Sequence, residues 1–122
     1  MATGQCDVNL ENIFGNTALF VAIQRKHLGI VDELLTYGAN YYHINFFGQN
    51  LLHFACKIND IGMVRKVLSL NLDINHQDTF GKTPLMIATT CKNEEILQIL
   101  LEHGADSKIN HFLDSKYNKC FV

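Results

Sequence analysis

The chain has 122 residues, of which 48% are apolar and 18% charged. That length holds one ordinary domain, and the apolar share excludes a disordered tail. Ten Lys and Arg against twelve Asp and Glu leave a formal charge of −2, without the basic excess of most dedicated nucleic-acid binders.

One period organises the elements. Gly15, Gly48 and Gly81 stand 33 residues apart, and the same step relates Leu19, Leu52 and Leu85, then Ala22, Ala55 and Ala88. It also relates Ile30, Met63 and Ile96, and Leu34, Val67 and Leu100. Such a period means stacked units that bury their apolar faces against neighbours. The first unit is placed at 12–44, the second at 45–77 and the third at 78–110, with partial units at 1–11 and 111–122. Each unit is predicted to run helix, turn, helix, loop. Gly38 ends the second helix of the first unit, because glycine favours a left-handed cap. Asn71 takes that place in the second unit and tolerates the same conformation. In the third unit Thr83 is a candidate N-cap and Pro84 suits the first helical turn. Ile96, Leu97, Leu100 and Leu101 then form one apolar stripe, and Gly104 ends it.

These units resemble the ankyrin repeat. The third carries Asp78, Gly81, Thr83-Pro84-Leu85, Ala88, Leu100-Leu101 and Gly104-Ala105-Asp106. The first carries Gly15, Thr17, Leu19, Ala22, His27-Leu28, Leu34-Leu35 and Gly38-Ala39, and the second Gly48, Leu52-His53 and Ala55. The resemblance implies an all-α solenoid of helix-turn-helix units joined by β-hairpin loops. It also implies structural roles for His27 and His53. Departures from the pattern matter too. Lys26, Asn59 and Lys92 replace the glycine between the helices, so a positive φ there strains the two lysines. Asn50-Leu51 replaces Thr-Pro, which makes the second unit the expected weak point. Gln5-Cys6-Asp7-Val8-Asn9 fills the loop position of an earlier unit. Asn118 stands where a core leucine belongs, so the chain reads as a minimal free-standing array or a piece of a longer one.

Chemical motifs are sparse. Gly81-Lys82-Thr83 matches the end of a phosphate-binding loop, but the required first glycine is His76. Six histidines and four cysteines include no Cys-x-x-Cys pair and no paired histidines on a helix face, so no metal and no cofactor is expected. Cys91 beside Lys92 has no acid–base partner placed by spacing, and no enzyme or small-molecule substrate is expected. No cationic start with an apolar stretch occurs in Met1 to Asn12, and no apolar run approaches the ~18 residues of a membrane helix. An intracellular, cytoplasmic or nuclear protein with free thiols follows, with neither nucleic acid nor membrane as partner. The terminal Cys120-Phe121-Val122 is the weaker alternative, as a peptide ligand for another domain.

The informative signal lies at the loop tips. Phe14, Phe47 and Phe80 precede the three glycines, and Ile13 and Phe46 precede the first two of these. In arrays like this one, the tips and the ends of the first helices line the concave face. The candidate partner-binding residues are therefore Ile13, Phe14, Arg25, Phe46, Phe47, Lys57, Phe80 and Lys82. Packing within the tip stack competes as an explanation for the aromatics. Phe46 and Phe47 cannot easily both point inward, and an exposed apolar strip marks an interaction site. Asp32, Glu33, Glu94, Glu95 and Glu102 are placed on the opposite face, so basic and acidic groups are expected to segregate. The resulting expectation is a non-catalytic module binding another protein. The alternatives are a small inhibitory array, like the inhibitors of NF-κB-type factors or toxin-neutralising immunity proteins, and a fragment of a larger scaffold or host-targeted effector.

Overall fold

The computed structural model describes residues 9–108. Six helices occur there: α1 Ala18–Gln24, α2 Leu28–Thr36, α3 Leu51–Lys57, α4 Ile61–Leu68, α5 Pro84–Cys91 and α6 Glu94–Glu102. α1, α3 and α5 stack in one layer, and α2, α4 and α6 back onto them in a second. The fold is an all-α helical repeat, and no strand occurs among the described residues. The tips are turns rather than the expected hairpin strands. Asn12 N donates to Asn16 O and Gly15 N to Asn12 O, both at 2.9 Å. One backbone bond then joins each tip to the next: Phe46 N to Phe14 O at 3.1 Å, and Thr79 N to Phe47 O at 3.0 Å. Single links of this kind are too few to build a ladder.

The period sets the burial. Leu19, Leu52 and Leu85 are buried, as are Ala22, Ala55 and Ala88. Helix ends follow local chemistry. Lys26, Asn59 and Lys92 have φ of 63°, 62° and 58°, so the left-handed turn persists without glycine. Asn71 (φ 60°), Gly38 and Gly104 adopt it as expected. The strained turn is held because His27 N reaches back to Ala22 O at 3.0 Å and Lys26 N to Ile23 O at 3.0 Å.

The second unit does not lack a cap on its first helix. Asn50 Oδ1 accepts from His53 N, and the His53 ring accepts from Asn50 N, each at 3.1 Å. That reciprocal cap replaces the Thr-Pro start. Every residue from Leu51 to Cys56 is buried. The first unit is the less complete one, since Thr17 makes no capping bond and its buried hydroxyl has no partner. His27 is likewise not a structural histidine here; it is exposed at the start of α2 and makes no side-chain cap.

Candidate functional site

Each tip is clamped by one side chain in the same register. Asn12 Oδ1 accepts from Phe14 N at 2.9 Å and Asn16 N at 3.0 Å. Asn45 Oδ1 accepts from Phe47 N at 3.0 Å and Gln49 N at 2.9 Å. Asp78 Oδ1 accepts from Phe80 N and Lys82 N, both at 2.9 Å. Turns of this type suit Asn and Asp, whose short acceptors reach backbone two and four residues on. The clamps fix the direction of the phenylalanine that follows.

Histidines tie tip to tip. His43 Nε2 lies 2.8 Å from Gly15 O and 2.9 Å from a carboxylate oxygen of Glu11. His76 Nε2 lies 2.9 Å from Gly48 O, one unit later. His53 reaches forward, with Nε2 2.8 Å from Lys82 O. The Lys82 carbonyl can only accept, so Nε2 carries a proton; Nδ1 lies 3.1 Å from Asn50 N and 2.8 Å from Asn50 Oδ1. Burial lowers the His53 pKa and keeps the ring neutral, outweighing the Lys82 carbonyl and Asp78, which pull the other way.

An open groove of about 730 Å³ runs along the tips and the ends of α1 and α3. Phe14, Phe47 and Phe80 line it together with Arg25 and Lys57. The Phe14 and Phe47 rings stack with centroids 6.2 Å apart. A smaller hollow of about 290 Å³ continues the groove; it shares Lys57 and Phe80 and adds Lys82 and Cys91. Six of the eight candidate residues thus border one continuous surface. The other two do not. Phe46 lies over the preceding tip, where a Cβ on Gly15 would fall 2.5 Å from its ring, yet it stays 63% exposed. Ile13 is 83% exposed and lines neither hollow.

The groove also has a polar floor that the apolar pattern does not reveal. Asn45 Nδ2 donates to Asn16 Oδ1 at 2.8 Å and to Gln49 Oε1 at 3.0 Å. The 33-residue spacing of Asn12, Asn45 and Asp78 is the sequence signal for this floor. Arg25, Lys57 and Lys82 form no ion pair among the described residues.

Cys56 is buried, and its pKa is pushed up to about 12 by burial. The Cys91 thiol points at the carbonyls of Cys56 and Lys57, at 3.7 and 3.9 Å. Among the described residues no group of three His, Cys, Asp or Glu side chains gathers to hold a metal ion. No helix among them is long and apolar enough to cross a membrane. Cys120-Phe121-Val122, Asn118 and Gln5-Cys6-Asp7-Val8 lie outside the described residues.

A family model for ankyrin repeats matches residues 1–78 and 39–111, in three copies. A search of curated proteins finds no significant match.

Proposed function

As the chain belongs to the ankyrin-repeat family, whose members generally mediate protein–protein interactions, we propose that it is a non-catalytic module gripping one protein partner along its concave groove. The observation behind this reading is the lining of that groove, where three aromatic rings stand beside Arg25 and Lys57, which form no ion pair among the described residues. Aromatic and arginine side chains in a concave site are the usual anchors of protein interfaces. The fitting partner segment carries apolar residues flanked by acidic ones. Apolar side chains cover Phe14, Phe47 and Phe80, while the acidic flanks meet Arg25, Lys57 and Lys82. The cations steer encounter more than they add affinity. A stoichiometric partner whose own activity falls on binding makes the module an inhibitor.

The test combines capture and substitution. Proteins retained by the wild-type chain are identified by mass spectrometry, and each is measured against Phe47→Ala with Phe80→Ala. Loss of two anchors is expected to weaken binding by about tenfold or more, with unchanged far-UV circular dichroism. Partners held equally by wild type and variant refute the concave-face reading. Phe46→Ala is a poorer probe, since Phe46 lies over the Gly15 tip and does not line the groove.

A further inference from the structure

The polar floor of the groove has a fixed hydrogen-bonding sense. Asn45 Oδ1 accepts from the backbone N–H groups of Phe47 and Gln49. Only the oxygen of a carboxamide can do so, which sets Nδ2 on the other side of the group. A carboxamide nitrogen only donates, so the atoms it meets on Asn16 and Gln49, at 2.8 and 3.0 Å, are their oxygens. The orientation of both side chains follows. It leaves Asn16 Nδ2 and Gln49 Nε2 without hydrogen-bond partners among the described residues. Both residues line the groove, and neither nitrogen is sealed from solvent. Asn16 is only 9% exposed, and a free donor on so buried a side chain is costly to leave without an acceptor. The third unit cannot repeat this relay, because Asp78 stands there in place of Asn45 and has no amide to donate. Both oxygens meet one nitrogen, so the two free donors belong to one subsite, where units one and two join.

The surroundings decide what answers those donors. Phe14, Phe47 and Phe80 line the same groove with Arg25 and Lys57, and neither cation forms an ion pair among the described residues. Asp78 is the one carboxylate among the lining residues, and its Oδ1 is held by the N–H groups of Phe80 and Lys82. Two neutral donors and two cations therefore face one anion that its own tip engages. An ionised carboxylate accepts only, at about four lone-pair sites, and its hydrogen bonds are charge-assisted. A carboxamide would turn an N–H towards donors, and an ammonium group would add a like charge.

We propose that the groove seats an Asp or Glu side chain of the partner segment on the Asn16 and Gln49 amides, with the apolar neighbours of that residue on the phenylalanines. This rests on the concave-groove reading and deepens it, since one acid of the partner enters the floor instead of staying at the rim. The probe is hydrocinnamate, a phenyl ring joined to a carboxylate, against its uncharged amide. Each is titrated at constant ionic strength to roughly 50 mM, above the millimolar Kd expected of so small a ligand. Heteronuclear NMR follows the side-chain amide signals of Asn16 and Gln49 and the backbone signals of Phe14 and Phe47. The carboxylate is expected to shift both side-chain signals and to bind roughly tenfold more tightly than the amide. Gln49→Glu and Asn16→Asp keep the oxygen that meets Asn45 Nδ2 and exchange the free donor for an acceptor. Each should bring that ratio down to about one, with unchanged far-UV circular dichroism. Gln49 is half-buried, so its variant remains informative if Asn16→Asp fails to fold. Equal response to the two compounds, or a preference that survives the substitutions, overturns the carboxylate subsite and leaves the groove reading standing. No response of any of these signals to either compound overturns both.

Discussion

Acidification should loosen the array through His53. The ring is fully buried on α3, with Nε2 on the Lys82 carbonyl and Nδ1 taking the Asn50 N–H. Asp78 and His76 are its charged or titratable neighbours, the first favouring protonation and the second opposing it. Burial is the largest influence and lowers the folded pKa below 6.5. The unfolded chain therefore binds a proton that the folded chain refuses. The stability contributed by His53 is complete above the unfolded pKa and is lost as pH falls towards the folded one. The limiting slope is about 1.4 kcal/mol per pH unit. The loss between pH 6.5 and 5.5 is therefore at most about 1 kcal/mol. Urea unfolding followed by circular dichroism at pH 7.5, 6.5 and 5.5 reads this directly. His53→Gln should lower stability at pH 7.5, because it loses the bond to the neighbouring unit, and should flatten the pH dependence. Equal slopes in wild type and His53→Gln would refute the reasoning.

Two further substitution pairs probe the caps and turns. Thr83 Oγ1 accepts from Met86 N, whereas the Thr17 hydroxyl is buried without a partner. Thr83→Val should cost about 1 kcal/mol and Thr17→Val close to nothing in urea titrations. At Gly48, φ is +75° and a Cβ would lie 2.8 Å from Thr79 N, so Gly48→Ala should lower the thermal midpoint clearly. Lys26→Gly, at φ 63°, should raise stability by about 0.5 kcal/mol, the left-handed strain relieved less the entropy of glycine.

The period made most of the fold legible because burial in a repeat array is a register property. A residue is inside or outside according to its place in the unit, and 33-residue matching reads that place. Left-handed turns at Lys26, Asn59 and Lys92 were also legible, since the chain must reverse there whichever residue it carries. The second unit's cap was not, because it depends on a three-residue relation. Asn50 and His53 satisfy each other's backbone groups, and comparison with Thr-Pro hides that exchange. Phe46 and Phe47 mark another limit. Adjacent residues in a turn are aimed by the turn's clamp, here Asn45, and the period carries no information about direction within the turn. The polar floor escaped because carboxamides do not register in an apolar pattern.

Charge gives the last distinction between the two faces. Acidic residues do lie outside, with Asp32, Glu33, Glu94, Glu95 and Glu102 all exposed. Yet the outer layer is mixed, because α4 also carries Arg65 and Lys66. Lys66 meets Asp32 there in an exposed pair, worth about 0–1 kcal/mol. Sign alone therefore does not single out the concave surface. The groove cations differ in what they stand beside. Of its three cations, Arg25 and Lys57 stand beside aromatic rings in the groove and Lys82 in the hollow that extends it, and none has an anion of its own among the described residues. A cation already paired must break that contact to serve a partner, and gains little by the exchange. An unpaired one beside an apolar wall meets an incoming carboxylate while that wall is being covered and water excluded. Lack of an ion pair is not confined to the groove, since Lys26, Arg65 and Lys92 form none among the described residues either. On the proposed reading it is the neighbouring phenylalanines that set Arg25, Lys57 and Lys82 apart.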